Sequence, residues 1–493
     1  MISEHLPALQ VVVPLAAAPL IVLLRHPGIA WAIAVAASVF AFGASLGLAA
    51  EVARSGVISY AMGSWPPPWG IEYRVDALSA FVLVLVSAIG ALVAPYALRS
   101  VAAEVPREQR YLYYAVHCLC LAGLLGMTIT GDAFNVFVFM EIASLAMYVL
   151  IALGRDRRAL LASYQYLILG TIGATFYVIG VGLLYLVTGT LNIADMAERL
   201  PQAGAARPVL AALAFITVGL SLKLALFPLH LWLPNAYAYA PSAATALLAA
   251  TATKVSVYVL LRYYFSVFGA GLVVESLPVP EILIGLSIAA IVTASLVALW
   301  QADFKRLLAY SSVAQIGYIT LGIGLATRDG LTAAVAHLFN HGITKGALFL
   351  LVGGIALRAG GVNFARLQGL ARAMPLTCLG VTLAGLSLIG VPGTAGFISK
   401  WYLVLGAIEA GHWWLAGLVV LTSLIAVAYV WRFVEAAYLS EPAAGAARIT
   451  EAPLPMLAIS WVLVGACVWF GFDTSFTVEG ARRAALLMLG GAP

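Results

Sequence analysis

Charged residues are scarce in this sequence: 10% of its 493 residues are Asp, Glu, Lys or Arg, whereas 63% are hydrophobic. Soluble domains carry roughly 25% charged residues, so this composition excludes a soluble globular protein. The length instead accommodates about 14 transmembrane helices, because roughly 20 apolar residues cross a bilayer. The net charge of +5 does not indicate nucleic-acid binding, since no basic soluble surface accompanies it.

Cysteine is also rare, and no spacing typical of a disulfide framework or a metal site joins the four copies beyond one Cys-x-Cys. All four lie in apolar segments and are interpreted as small packing residues. The N-terminus, Met1 to His5, lacks the basic region of a cleaved signal peptide. We therefore expect the first apolar stretch to be kept as a span, in a chain that holds neither a metal nor a cofactor.

The apolar runs predict an all-α membrane protein of about 14 spans. The residues around 187–208 are predicted to form a surface loop or a short helix between two of them. The predicted spans are 7–24, 28–50, 76–98, 111–130, 132–153, 160–187, 208–233, 241–265, 279–300, 307–326, 331–357, 375–399, 412–438 and 453–472.

The spans are interpreted as one membrane domain over 1–493 that contains two five-helix repeats, each with a broken helix. Five is an odd number, so the two repeats have opposite topology, an arrangement typical of transporters with a site near the midplane. The parts are helices 1–3 in 1–110, the first repeat in 111–265, the second in 276–440, and helix 14 with the tail in 450–493.

Arginine is distributed unevenly between the two sets of loops. Loops after odd-numbered spans carry more basic residues than the others, among them Arg107, Arg110, Arg157 and Arg158. Positive loops face the cytoplasm, so we expect a multi-pass protein of the prokaryotic cell (inner) membrane with both termini outside. The side that bears the odd-numbered loops is called the arginine-rich face below.

Lysine is rarer than arginine, yet four of the five lysines lie inside or at the broken edge of apolar segments. Arginine stays protonated in any protein setting, whereas lysine in an apolar environment can release its proton. A charge at the bilayer centre costs at least ~2.5–3.5 kcal/mol on insertion scales, which makes such residues functional candidates. The pattern predicts a proton relay. The fifth lysine, Lys305, is expected in a solvated turn with Asp303 and Arg306.

The first repeat holds a carboxylate, two lysines and a helix break. Glu141, deep in an apolar run, is interpreted either as the partner of a buried lysine or as a neutral acid bonded to another helix. Pro228 interrupts the helix after Lys223, and such breaks are tolerated where they line a cavity or are buried in protein. His230 is either a secondary polar position on the path or a packed core histidine. Lys254 is expected within a span, with a lysine reaching the interface as the alternative.

The second repeat adds two histidines and two lysines. His337, His341 and Lys345 follow one another at intervals of four residues, which places them on one helix face. This stripe favours a hydrated proton path; two histidines at this spacing also occur in zinc sites, but no further ligand follows. Lys400 ends a segment broken by Pro392 and Gly393, and the alternative is an interfacial lysine.

Five stretches together resemble a known family, the antiporter-like subunits shared by Mrp-type cation/proton antiporters, respiratory complex I and membrane-bound hydrogenases. The resemblance covers about 110–405. The stretches are Phe139-Met140-Glu141, Lys223 to Pro234, Asp303 to Ser312 continuing through Gln315 to Tyr318, His337 to Lys345, and Pro392 to Lys400.

The resemblance implies fourteen helices with an inverted five-helix repeat, and a pair formed by Glu141 and Lys223. It implies a proton-conducting subunit of a multi-subunit monovalent cation (Na⁺)/H⁺ antiporter, a secondary transporter whose partners are other membrane subunits and the bilayer. The alternatives are a proton-pumping subunit of a complex I-like NADH:quinone oxidoreductase or a membrane-bound hydrogenase, and a structural subunit that no longer conducts. The implied proton route runs through Lys254, His337, His341, Lys345 and Lys400.

Within the family, the phrase from Thr188 to Asp195 resembles the Mrp antiporter member known as the D subunit, and Lys400 fits that member as well. Ser311-Ser312 is closer to the respiratory and hydrogenase members. Asn235 departs from complex I members, which often carry aspartate there.

Overall fold

A computed structural model describes residues 3–204, 206–442 and 449–490 and confirms the predicted all-α membrane fold. Thirteen helices in these ranges are long and apolar enough to cross a bilayer, or up to fourteen if a pair bent by 112° around residues 373–374 counts as one span. The helices are α1 Leu6–Leu24, α2 Pro27–Ser55, α3 Ala77–Glu104, α4 Arg110–Ile129, α5 Ala133–Ala152, α6 Arg157–Thr188, α7 Ile193–Ala203, α8 Arg207–Leu224, α9 Trp232–Tyr239, α10 Ser242–Leu261, α11 Val279–Leu299, α12 Phe304–Leu325, α13 Arg328–Ala359, α14 Phe364–Leu367, α15 Pro375–Ile389, α16 Ala395–Glu409, α17 Trp413–Val434, α18 Leu454–Phe472 and α19 Ser475–Met488.

The two stretches predicted as repeats contain the same order of elements. In the first, α4 and α5 lead into the 32-residue helix α6, the short α7, the interrupted helix α8/α9 and the closing helix α10. In the second, α11 and α12 lead into the 32-residue helix α13, the short α14, the interrupted helix α15/α16 and α17. The likeness that is faint in the sequence is therefore plain in the order and length of the helices.

A pair of matching loop contacts supports this correspondence. Asp132 caps α5 and Asn192 caps α7, and the two residues form an isolated antiparallel bridge. Asp303 and Asn363 do the same for α12 and α14. We call these contacts the Asp–Asn brackets. Five spans separate one bracket from the other, so they lie on opposite faces of the membrane.

The interruptions of the two broken helices are wider than a single proline requires. The predicted span 208–233 is split: α8 ends at Leu224, Ala225 adopts a left-handed conformation (φ 60°), and helix resumes at Trp232. The predicted span 375–399 is likewise split at 390–394, and its second half continues to Glu409. Pro228, Pro392 and Gly393 all lie in these gaps.

The centre of the molecule is built from α10 and α13. Every residue of α10 is buried, and its backbone touches that of α13. A Cβ added at Gly342 would meet the carbonyl oxygen of Ala250 at 3.0 Å, so glycine is what allows this close approach. The ionisable residues of both helices thus belong to one continuous core.

Two elements differ from the sequence-based prediction. Residues 58–75, which lie between the predicted spans 28–50 and 76–98, contain an antiparallel hairpin of β1 Ile58–Ala61 and β2 Glu72–Val75. The tail after the last predicted span forms helix α19, which packs on α13 and α3. The region 187–208 contains the short helix α7, one of the two predicted possibilities.

Candidate functional site

The first group of ionisable residues joins α5 to the broken end of α8. The Nζ atom of Lys223 lies 3.5 Å from Oε1 of Glu141, and it donates a hydrogen bond of 2.7 Å to Oγ of Ser144. Ser144 lies three residues after Glu141, so both project from one face of α5. Lys223 is almost fully buried, whereas Glu141 keeps a quarter of its side chain accessible. The structure therefore brings together the predicted acid and the predicted lysine.

Lys254 lies in the middle of α10 and is buried. Its Nζ atom donates to the carbonyl oxygen of Ala249 at 2.6 Å and to Oγ1 of Thr253 at 3.2 Å. Within the described residues, no carboxylate forms an ion pair with it. The side chain of Lys254 therefore lies inside the protein.

The two histidines of α13 stack on each other, with ring centroids 5.8 Å apart and planes inclined by 6°. His337 is held at both ring nitrogens, at 2.7 Å from Oγ of Ser399 and 2.8 Å from Oε1 of Gln315. Neither ring nitrogen of His341 has a hydrogen-bond partner among the described protein atoms. No group of three or more potential metal ligands occurs in the described residues, so the geometry gives the zinc interpretation no third ligand.

Lys345 is the innermost lysine of the second repeat. Its Nζ atom donates to the carbonyl oxygen of Leu308 at 2.8 Å and to Oγ of Ser311 at 2.5 Å, both on α12. The helix that carries Lys345 and both histidines packs closely on α10, the helix that carries Lys254.

Lys400 lies on α16 just after the second helix interruption. Its Nζ atom donates to the carbonyl oxygen of Ile389 at 2.8 Å and to Oγ of Ser423 at 3.1 Å, and it lies 4.6 Å from the centre of the Tyr318 ring. The carbonyl group of Ile389 is freed by the end of α15. Lys400 is buried, and the residue before it, Ser399, is the hydrogen-bond partner of His337.

His230 follows the first interruption and is buried against Phe227, with ring centroids 5.2 Å apart. Its Nδ1 atom has no hydrogen-bond partner among the described protein atoms. Its ring centroid lies 6.5 Å from that of Tyr310 on α12, and no hydrogen bond or ion pair in the described residues joins His230 to a lysine. Nor does a hydrogen bond there join Lys223 to Lys254.

One predicted position is wrong, because Lys305 does not lie in a solvated turn. Its side chain is 7% exposed, and Nζ donates to Oγ of Ser242 at 3.0 Å. The sequence analysis also missed the hydroxyl groups that hold the lysines. The sequence did contain a signal for them at Ser144 and Ser311. Each lies on a mostly apolar helix that offers few other side chains able to hydrogen-bond a lysine amine.

The transmembrane family described as "NADH:quinone oxidoreductase/Mrp antiporter, TM" matches residues 130–426. The chain belongs to this family. A family member from Desulforudis audaxviator, the N subunit of an NADH-quinone oxidoreductase, is 44% identical over 458 residues, 92% of this chain and 90% of its own length. A Na⁺/H⁺ antiporter protein of Alkalihalophilus pseudofirmus, named as the D subunit, is 33% identical over 366 residues, 74% of this chain and 72% of its own length.

The fold is also that of a family member in a solved assembly. A chain in the structure of the Mrp complex from Dietzia sp. superimposes with a TM-score of 0.90 at 27% identity, over 99% of this chain and 98% of that one. The chain is thus an antiporter-like membrane subunit of the oxidoreductase/antiporter family. The matched range 130–426 contains every lysine and histidine of the candidate path, together with Glu141.

Proposed function

We propose that this chain is the proton-conducting subunit of a multi-subunit monovalent cation (Na⁺)/H⁺ antiporter. Protons would move along Glu141, Lys223, Lys254, His337, His341, Lys345 and Lys400, with His230 as a secondary polar position. The chain would act as a secondary transporter subunit with other membrane subunits as partners, in a prokaryotic cell membrane with both termini outside. The observation that carries the proposal is the ion pair of Glu141 and Lys223, with which the proposed series of buried lysines and histidines begins.

The ion pair provides a reason for a proton to move. A nearby carboxylate favours the charged form of an amine, and an apolar surrounding disfavours it. When Glu141 turns away or takes up a proton, the ammonium of Lys223 loses its stabilising charge and gives its proton to the next base. The acceptor becomes a cation, and Lys223 is left as a neutral amine bonded to Ser144.

The later members are arranged to receive that proton and to pass it on. Lys254, Lys345 and Lys400 are bound by carbonyl and hydroxyl oxygens, which accept hydrogen bonds from an ammonium group and from a neutral amine. Imidazole can pass protons in either direction because one ring nitrogen can accept a proton while the other releases one. His341, whose nitrogens are open in the described structure, is suited to bind water between His337 and Lys345.

The test uses the assembled complex in inverted membrane vesicles, with the pH gradient followed by a fluorescent probe. Addition of Na⁺ should collapse a preformed gradient in the wild type, whereas Glu141→Ala and Lys223→Ala should abolish the response at normal complex abundance. The matched control is Glu479→Ala, which breaks an exposed Glu479–Arg483 pair and should change nothing. Wild-type exchange in Lys223→Ala would overturn the proposal.

A second candidate is a proton-pumping subunit of a redox-driven complex, favoured by the 44% identity to the N subunit of an NADH-quinone oxidoreductase. The same vesicles separate the two functions. In the second case, oxidation of NADH or another donor would build the pH gradient, Lys223→Ala would abolish that step, and Na⁺ would have no effect of its own.

A further inference from the structure

A second group with the composition of the Glu141–Ser144–Lys223 site lies at the arginine-rich face. Both carboxylate oxygens of Glu104 bind Ser242: Oε2 accepts from the backbone N–H at 2.5 Å, and Oε1 accepts from Oγ at 2.7 Å. The Oγ atom of Ser242 in turn accepts a hydrogen bond of 3.0 Å from Nζ of Lys305. We call Glu104, Ser242 and Lys305 the rim cluster.

The rim cluster joins three parts of the chain at one level. Glu104 is the last residue of α3, Ser242 is the first of α10, and Lys305 is the second of α12. All three positions lie next to loops that follow odd-numbered spans, which form the arginine-rich face. Glu104 is partly buried, whereas Lys305 is buried. The cluster thus runs from a position near the surface to one inside the protein.

The inner end of the cluster is close to the candidate path. Lys305 and Leu308 are separated by one turn of α12, about 4.5 Å of axial rise. The carbonyl oxygen of Leu308 accepts the hydrogen bond from Nζ of Lys345. Among the candidate path residues that contact α12, Lys345 binds nearest to Lys305 along that helix, since His337 binds Gln315 and Lys400 faces Tyr318.

We propose that the rim cluster is the proton inlet, or outlet, of the path at the arginine-rich face, a proposal that rests on the proposed function. Protonated Glu104 gives its proton to Oγ of Ser242 while that hydroxyl gives its own to the neutral amine of Lys305, which leaves a carboxylate and an ammonium. Lys305 then gives a proton to the neutral amine of Lys345, directly or through water, and returns to the neutral form. A hydroxyl suits the middle position because it donates and accepts at once.

The other polar groups around the cluster do not complete an ion pair with it. Oγ of Ser100 donates to Oε2 of Glu104 at 3.2 Å. The Tyr96 hydroxyl donates to the carbonyl oxygen of Leu350 at 2.6 Å, and the Tyr113 hydroxyl has no hydrogen-bond partner among the described protein atoms. Arg110 binds the carbonyl oxygens of Ala102 and Val105, and Arg306 binds the Tyr239 hydroxyl at 3.3 Å. No cation in the described residues forms an ion pair with Glu104, and Lys305 reaches its carboxylate through the hydroxyl of Ser242.

A structural role is the competing explanation, because Glu104 also caps a helix that lacks a side-chain cap of its own. Substitution of Lys305 by arginine distinguishes a structural role from proton transfer. Arginine keeps the charge and can keep the hydrogen bond to Ser242, but it does not release its proton. The variants for the vesicle assay are Lys305→Arg, Lys305→Met and Glu104→Gln, with Glu108→Gln as the matched control. Glu108 is an exposed glutamate on the same face.

We expect Lys305→Arg and Lys305→Met to slow cation-driven proton movement by about 100-fold, the lower end of what a positioned proton donor contributes. The rescue test uses inverted vesicles loaded with Na⁺, in which Na⁺ leaving the lumen draws protons in from the outer medium that bathes the arginine-rich face. There Glu104→Gln should slow exchange similarly at neutral pH, and acidifying the outer medium should restore its rate relative to the wild type. Acidifying the lumen should not. Glu108→Gln should match the wild type.

One outcome would overturn the proposed role of the rim cluster as a proton inlet or outlet and leave the proposed function intact. In that outcome Lys305→Arg and Glu104→Gln exchange within about twofold of the wild type while Lys223→Ala is inactive. A loss in Glu104→Gln that outer acid does not reverse, with Lys305→Arg active, would assign the cluster a purely structural role. Full exchange in Lys223→Ala would overturn the proposed function itself. If Lys305→Met fails to assemble, the arginine variant and the sided pH response still decide the question.

Discussion

The two interrupted helices hold their lysines in different ways. Lys223 at the first interruption lies beside the carboxylate of Glu141, a charge on a side chain that can turn or take up a proton. Lys400 at the second is held by the carbonyl oxygen of Ile389, the hydroxyl of Ser423 and the face of Tyr318. These dipoles are fixed in the structure. The difference suggests that control of the proton resides in the first repeat, and that the second provides a constant receiving site.

The largest loss of transport is expected from two single variants, each of which replaces one of these lysines by a residue that does not release its proton. Lys223→Arg and Lys400→Arg each keep a positive charge, yet both should abolish cation-driven proton movement in vesicles, because guanidinium stays protonated. The control is complex abundance in the same membranes. An active arginine variant at either position would show that this lysine serves only as a fixed charge.

The next prediction tests the difference between the two lysines. Glu141→Gln removes the switchable charge and should slow transport by about 100-fold or more. Ser423→Ala removes one neutral hydrogen bond from Lys400, a contribution of about 0.5–1.5 kcal/mol, and should slow transport by less than about tenfold. Equal losses in both variants, measured as initial rates, would contradict the proposed division of roles.

A smaller effect should separate the neighbouring histidines by stability. His337→Leu leaves Ser399 and Gln315 without their partner and should destabilise the protein by about 1–3 kcal/mol. His341→Leu strands no protein group in the described structure and, at similar volume, should cost less than about 1.5 kcal/mol. Thermal unfolding of the purified complex measures both. A His341→Leu variant that is the less stable of the two would show that this ring has bonds of its own.

The smallest effects concern the Asp–Asn brackets. Asn363 caps α14 alone, whereas Asn192 caps α7 and also donates to Oε2 of Glu72 at 2.8 Å. Loss of a cap costs about 0.5–2 kcal/mol, so Asn363→Ala should fall in this range. Asn192→Ala should cost more, because it also leaves a buried carboxylate oxygen of Glu72 unpaired. The same unfolding assay measures both variants. An Asn363→Ala variant that is less stable than Asn192→Ala would contradict the expected order.

Much of this architecture could be predicted from the sequence, because membrane spans follow from apolar length alone. That Glu141 would approach a buried lysine could be expected as well, since an acid and an amine in apolar segments both gain by pairing. The choice of Lys223 among four such lysines came from the family resemblance. Lys305 was misjudged because Asp303 and Arg306 flank it, and a local charge cluster gives no sign that α3 and α10 cover the side chain. The hairpin at 58–75 and helix α19 were missed because neither has the long apolar run on which the prediction relied.

Under the proposed function, the Asp–Asn brackets have a consequence for the direction of transport. The first bracket joins α5, the helix that carries Glu141, to the segment that precedes the interrupted helix α8/α9. The second joins α12, the helix that carries Ser311, to the segment that precedes α15/α16. The two brackets lie on opposite sides of the bilayer. A tilt that opens the first repeat toward one compartment would, by the same geometry, open the second toward the other. One chain would then contain two half-channels of opposite polarity, and reversing the ion gradients should run the same residues backwards without a separate return route.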